Sequence, residues 1–207
     1  MQLIKKIQKL KQGKIRKIIH NRIKEFEKIG KSSTERIFQE LCFCILTANF
    51  NAEKSINIQN ILGDKFLELT QEKLRKKLKE LGYRFPNTRA SYIVEARNIK
   101  DKLKEILSKS ETEAREFLVE NVKGFGYKEA SHFLRNVGKK NLAIIDFHII
   151  DILTERGVIK NPKTKSLTKS TYLEIENTLR QLAEKLNLSL AELDLYLWYL
   201  ETGKILK

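Results

Sequence analysis

The chain has few residues that could bind a metal or form a disulfide. Its 207 residues include two cysteines, Cys42 and Cys44, and three histidines. That excludes a disulfide framework and any four-cysteine zinc or iron–sulfur site. His20, His132 and His148 stand at no metal-ligand spacing, so no side-chain metal site is expected. Long apolar runs are also missing. Leu41 to Leu46 is the longest, far short of a membrane span. No apolar segment with a small-residue cleavage site opens the chain, which argues against secretion. The two prolines, Pro86 and Pro162, both read as lying between helices. Acidic residues are absent from the first 24 positions, which hold nine Lys or Arg. A transit peptide would favour Arg and Ser, whereas this run is rich in Lys and Ile. A cytoplasmic basic protein is expected, with no membrane-spanning segment.

Charge is what the chain has most of. Lys plus Arg is 41 and Asp plus Glu is 26, so the net charge is 41 − 26 = +15. A polyanion is the obvious partner, either nucleic acid or an anionic membrane surface. Hydrophobic residues make up 41%, enough to bury a sizeable core and to argue against disorder. The length suits one domain or two small lobes.

Apolar residues recur at three and four, and alternating runs are nearly absent, so the chain reads as all-α. Ile4, Ile7, Leu10, Ile15, Ile18, Ile19, Ile23 and Phe26 trace N-terminal amphipathic helices with a break near Gly13. Their basic face is either solvated or set against DNA. Ser32-x-x-Glu35, Ser110-x-x-Glu113 and Ser189-x-x-Glu192 have the capping-box form. Asn51, Thr70 and Asn87 are further candidate N-caps. These signals predict helices starting near residues 33, 52, 71, 88, 111, 127, 147, 171 and 190. Leu142 to Ile145 is either extended or a buried loop. Residues 160–169 hold four lysines in a predicted loop.

The most informative stretch runs from about 118 to 137. A helix ending near Val122 meets another starting near Tyr127, and Gly124-Phe125-Gly126 lies between them. Glycines permit a tight turn and let backbone N–H groups approach an anion at a helix N-terminus. Phe125 can plug the turn into the core. This is the pattern of a helix-hairpin-helix, which grips a DNA phosphate without reading sequence. Lys128 follows in the first helical turn, where the helix dipole disfavours a cation. It is either a candidate Schiff-base nucleophile or added charge on a DNA surface. Asp146, in Ile145-Asp146-Phe147-His148-Ile149, reads as an N-cap, with Ile145 and Ile150 forming a hydrophobic staple. A cap carboxylate stays ionised and is also available for chemistry.

Gly-x-Gly-x-Lys followed by an aspartate 146 − 128 = 18 residues later, in an apolar-Asp-x-His-apolar string, resembles the helix-hairpin-helix DNA glycosylases of the endonuclease III superfamily. Endonuclease III itself typically shows Leu-Pro-Gly-Val-Gly-x-Lys and Val-Asp-Thr-His-Val; here Lys123 replaces the proline and Phe147 the threonine. Glu40 to Asn49 is similar to the family's helix that ends in a turn at the DNA, and Leu81 to Arg97 to the segment after it. The resemblance spans roughly residues 30 to 155. The chain lacks the C-terminal cysteines of the iron–sulfur members and keeps the lysine that adenine and alkyladenine glycosylases generally lack. Within the superfamily it is therefore most similar to the type-2 8-oxoguanine DNA glycosylase/lyase group, compact proteins found mainly in archaea.

That resemblance implies a fold of two helical lobes with the hairpin at the cleft. One lobe would be residues 31–137, the other 1–30 plus 138–207, carrying Asp146 and the C-terminal tail. It implies base flipping, attack by Lys128 on the sugar with help from Asp146, an imine, and elimination. Phe85 and Trp198 are candidates for stacking on the base. Lys207 is a candidate for purine contact through its terminal carboxylate or its ammonium. Gly124, Gly126 and Asn49 are expected at the DNA. No cofactor is implied beyond a monovalent cation on the hairpin main chain. The expected partner is double-stranded DNA holding 8-oxoguanine or an abasic site, bound by a monomer in a prokaryotic cytoplasm at the nucleoid. Competing readings are an oxidised-pyrimidine glycosylase/lyase of the same fold and a non-catalytic helix-hairpin-helix protein. A third competitor is a basic peripheral membrane protein built on the N-terminal helix.

Overall fold

The computed structural model describes residues 2–162, 164 and 166–207, and among these every regular element is helical. Two of the four loop lysines, Lys163 and Lys165, lie outside the described residues. Helices α1 (Gln2–Lys11) and α2 (Lys14–Gly30) flank Gly13 as predicted. Then come α3 (Thr34–Thr47), α4 (Ala52–Leu62), α5 (Lys65–Glu68), α6 (Gln71–Glu80) and α7 (Pro86–Ala96). A 3₁₀ turn (Arg97–Lys102) leads into α8 (Leu103–Ser108), followed by α9 (Glu111–Asn121) and α10 (Tyr127–Asn136). The last three are α11 (Phe147–Glu155), α12 (Lys169–Lys185) and α13 (Leu190–Thr202).

The caps explain most of these starts. Asn51 accepts the Lys54 N–H at 3.0 Å and Thr70 that of Lys73 at 3.4 Å. Ser110 with Glu113, and Ser189 with Glu192, form full capping boxes. Each such cap is worth about 1 kcal/mol. Two expected caps are corrected. Ser33, not Ser32, caps α3; the Ser32 hydroxyl instead donates back to Ile29 O, closing off α2. Asn87 caps nothing, because Pro86 takes the first helical position of α7 behind Phe85. Proline is favoured there, since its missing N–H would have no helical partner. Pro86 therefore opens a helix instead of separating two. Thr168 starts α12 two residues earlier than predicted.

The apolar residues collect into two cores. The first runs from Ile37 to Leu142 and centres on α3, whose second half, residues 40–47, is buried on every side. That accounts for the continuous Leu41–Leu46 run, since a helix with no solvent face needs no polar stripe. The second core joins Leu3 to Phe26 with Ala143 to Leu197. Gly30 lets α2 approach the end of α10 backbone to backbone. A Cβ there would lie 2.0 Å from Val137 O.

Leu142 to Ile145 passes between the cores as a buried loop, not a strand. Buried backbone groups need partners, and α12 supplies them. Tyr172 Oη donates to Ala143 O at 2.7 Å and accepts the Ile145 N–H at 3.2 Å. Glu176 accepts the Ala143 N–H at 2.9 Å. The same carboxylate takes two bonds, 2.6 and 3.1 Å, from Arg115 of α9. Removing one partner of such a buried pair typically costs about 3–5 kcal/mol. This clamp fixes the strand of chain that delivers Asp146.

Candidate active site

The hairpin between α9 and α10 closes through Phe125 N–H donating to Val122 O at 3.0 Å. Gly124 has φ +85°, and a Cβ on it would lie 2.6 Å from the Tyr92 ring. Glycine is therefore required there on two counts. Phe125 is buried in the first core, the plug that the motif suggested. Gly126 is extended and caps α10; its N–H donates to Glu129 Oε2 at 3.2 Å. The hairpin N–H expected at a phosphate is thus held by a carboxylate, a role of Glu129 that sequence reasoning missed. Its signal was there: glutamate is the favoured reach-back residue three positions past an N-cap.

Lys128, in the first turn of α10, keeps about a quarter of its side chain exposed, with Nζ 3.6 Å from Glu129 Oε1. Asp146 caps α11 by accepting the Ile149 N–H at 3.0 Å. Ile145 and Ile150 both join the second core, as the staple requires. One cleft of roughly 840 Å³ is lined by Asn49, Gly126, Lys128, Asp146, Trp198 and Lys207. The structure thus brings together six of the eight predicted site residues.

Phe85 and Gly124 are not among the lining residues. Phe85 sits at the N-cap of α7, packed on the first core, with Arg84 and Arg89 at 4.9 and 6.0 Å from its ring centre. Phe85 thus lies outside the cleft that holds Lys128 and Asp146. Gly124 is exposed outside the cleft, with a Cβ position directed at the Tyr92 ring. Trp198 stays, and is no core residue. It stands edge-on to His148, ring centres 5.6 Å apart, and its buried Nε1 has no hydrogen-bond partner. Asn49 is the residue after the α3 C-cap, held at φ +59°.

Further polar residues line the cleft without having been expected, among them His132, Arg135 and Asp194. Arg135 Nη1 donates to Asp194 Oδ2 at 2.5 Å. Burial pushes the Asp194 carboxyl up to about 6; the Asp146 charge adds to this, and the Arg135 and Lys128 cations oppose it. The Arg135 guanidinium is pushed down by the same burial. Burial also holds His132 well below the ordinary histidine value, and Arg135 and Lys128 add to that, so its ring is neutral at pH 7. Within the described residues, no group of three or more His, Cys, Asp or Glu is placed to hold a metal ion. Nor is any helix long and apolar enough to cross a membrane.

The family model for 8-oxoguanine DNA glycosylase matches residues 19–188. The chain belongs to the 8-oxoguanine DNA glycosylase family. An 8-oxoguanine DNA glycosylase/AP lyase from Methanocaldococcus jannaschii is 57% identical across the whole of both chains. One of the same name from Korarchaeum cryptofilum is 50% identical, covering 99% of this chain and 98% of its own. The crystal structure of the M. jannaschii 8-oxoguanine glycosylase/lyase in complex with a 15mer DNA containing 8-oxoguanine matches with a TM-score of 0.96. It is 56% identical and covers all of both chains. The Thermotoga maritima 8-oxoguanine DNA glycosylase matches at 0.94 and 42% identity, over 100% of this chain and 99% of its own. The all-α fold is the fold of these 8-oxoguanine DNA glycosylases. Membership agrees with the group singled out by Lys128 and by the absence of cysteine after Cys44.

Proposed function

We propose that the chain excises 8-oxoguanine from duplex DNA and then cleaves the strand at the abasic sugar, with Lys128 as nucleophile and Asp146 as its partner. The observation that carries this is that one cleft is lined by both Lys128, beside the hairpin, and Asp146, at the start of α11. The names of the 42–57% identical relatives support 8-oxoguanine over an oxidised pyrimidine as substrate. The reading divides the chain into lobes at 31–137 and at 1–30 plus 138–207, and the two apolar cores support that division.

A base inside a duplex must leave the stack before it can react. The Lys128 amine then attacks C1′ and the bond from C1′ to the base breaks, the base leaving with a proton. Asp146 takes the proton that the lysine loses, or stabilises positive charge on the sugar. The C1′–O4′ bond then breaks, O4′ taking up a proton, and the opened sugar holds a protonated imine between Lys128 and C1′ that acidifies C2′. Loss of a C2′ proton expels the 3′ phosphate, cutting the strand on the 3′ side of the lesion. An amine is required because only an amine forms the imine. The amine, the carboxylate and the sugar supply every bond that changes, so the reading assigns no cofactor. A monovalent cation on hairpin carbonyls would serve phosphate binding, with no step passing through it.

Trp198, half-buried in the cleft wall and with no partner for its Nε1 among the described residues, is assigned to stacking on the flipped base. 8-Oxoguanine differs from guanine by an N7–H donor, which calls for an acceptor. Lys207 is assigned to that contact through a main-chain oxygen, because its ammonium is already engaged elsewhere. Asn49 and Gly126 face the DNA. The positive charge predicts affinity that falls steeply with salt. The enzyme works as a monomer in the prokaryotic cytoplasm.

The test is a cleavage assay on duplexes holding a single 8-oxoguanine, thymine glycol or abasic site. Release of 8-oxoguanine with strand cleavage is expected. Cleavage only at thymine glycol would keep the mechanism and overturn the substrate.

A further inference from the structure

Glu40 is the least explained residue of the first core. It lies on α3, wholly buried, in a helix otherwise apolar toward its end. A buried carboxylate is costly unless it is fully paired and hydrogen-bonded. Glu40 achieves this with partners from across the chain. Its Oε1 accepts from Asn136 Nδ2 at 2.8 Å. Its Oε2 accepts from Gln59 Nε2 and from Lys207 Nζ, each at 3.1 Å. Arg36 stands 3.9 Å away. Lys207 Nζ also donates to Gln59 Oε1 and lies 4.4 Å from the centre of the Phe43 ring.

The Lys207 side chain is only 11% exposed, yet the residue as a whole is half-buried and lines the cleft. What it shows to the cleft is therefore main chain. His132, buried in the cleft wall, lies against that same main chain. The last helix, α13, belongs to the second core, whereas Glu40, Gln59 and Phe43 are on α3 and α4. Residues 203–207 thus cross the cleft and plug their ammonium into the opposite wall. Lys204 makes a second such crossing to Glu53 of α4.

We infer that Glu40, seconded by Gln59, is a positioning residue for base recognition: it holds the Lys207 ammonium so that the Lys207 main-chain oxygen stays fixed at the base pocket. This rests on the proposed contact between that oxygen and the base. Without the anchor that oxygen would swing, since the segment after α13 belongs to no helix. A site that misplaces such a group by about 1 Å loses roughly 100-fold in rate. Burial also pushes the Lys207 ammonium down, opposed by Glu40, so loss of the Glu40 charge removes what keeps the amine charged and seated.

The experiment compares five proteins: wild type, Glu40→Gln, Lys207→Met, the double variant and a protein with Lys207 deleted. Single-turnover rates are measured on duplexes with 8-oxoguanine and on duplexes with an abasic site, and their ratio is the readout. A merely structural defect lowers both rates together. Each single variant should lower the ratio by roughly 10- to 100-fold. The double variant should be no lower than the worse single variant, because the pair acts as a unit. A Glu40→Gln protein with the wild-type ratio, beside a lowered Lys207→Met ratio, would overturn the inference and leave the base contact standing. A wild-type ratio on deletion of Lys207 would overturn the base contact itself. Should Glu40→Gln fail to fold, Gln59→Leu removes the other acceptor of the ammonium. A Gln59→Leu protein with the wild-type ratio would overturn the inference equally.

Discussion

The hairpin pair and the tail socket meet in one cleft, but they are built in opposite ways. Lys128 and Asp146 each stand in the first turn or cap of a helix, placed by short-range signals: a Gly-Phe-Gly turn, a cap carboxylate and a staple. Glu40 and Lys207 are 167 residues apart and meet only because the two cores close on each other. The chemistry is therefore carried by local motifs, and the proposed discrimination of the base by long-range assembly. Damage to the first should stop the reaction on every substrate. Damage to the second should change which substrate reacts.

The sharpest break comes from Lys128→Gln. It should abolish base release and strand cleavage while DNA binding persists in a gel-shift assay; retained cleavage would mean that another amine is the nucleophile. Asp146→Asn should follow, slowing both steps by roughly 10²- to 10⁴-fold at near-normal affinity, as expected for lost proton transfer. Unchanged turnover would leave Asp146 as a cap alone. Deleting Lys207 should act on one side of the comparison only, lowering 8-oxoguanine excision by roughly 10- to 100-fold relative to abasic-site cleavage.

Smaller effects sharpen the same contrast. Gly124→Ala forces φ +85° on an L residue and drives a Cβ to 2.6 Å from Tyr92. A loss of about 1–3 kcal/mol in unfolding free energy is expected, with binding weakened alike for damaged and undamaged duplex. Asp194→Asn gives a pH signature. The folded carboxyl titrates near 6 and the unfolded one near 3.8. Its folded form thus holds the extra proton between these values, and its contribution to stability is full below 3.8 and falls as pH rises to 6. The variant lacks this fall, so its stability relative to wild type should rise by about 1.4 kcal/mol per pH unit across that window. Denaturant titrations at pH 4 and pH 6 would show it; parallel curves would refute the shift.

This division also explains what could be read from the sequence. The N-caps at Asn51, Thr70, Ser110 and Ser189, the turn at Gly124 and the cap at Asp146 are local, and each appears where the residues indicate. The misplaced caps at Ser32 and Asn87 are one- or two-residue slips. Serines 32 and 33 compete for one helix end, and proline at 86 outranks the asparagine beside it. Helix α5 and the segment Arg97–Ser108 are too short to show a period. Phe85 lies outside the cleft lining, beside Arg84 and Arg89, because an aromatic near a motif carries no direction until the fold sets it. Glu40, Gln59, Asn136 and Arg135 carry no local signal at all. Their meaning depends on partners in α10, in α13 or at the chain end.

The claim on which all of this depends is that one lysine, beside the hairpin, forms the imine. Borohydride reduction during reaction with a duplex holding 8-oxoguanine, followed by peptide mapping of the adduct, tests it directly. A single adduct on Lys128, absent from Lys128→Gln, is the predicted result. An adduct on any other lysine, or none on 8-oxoguanine or abasic DNA, would contradict it.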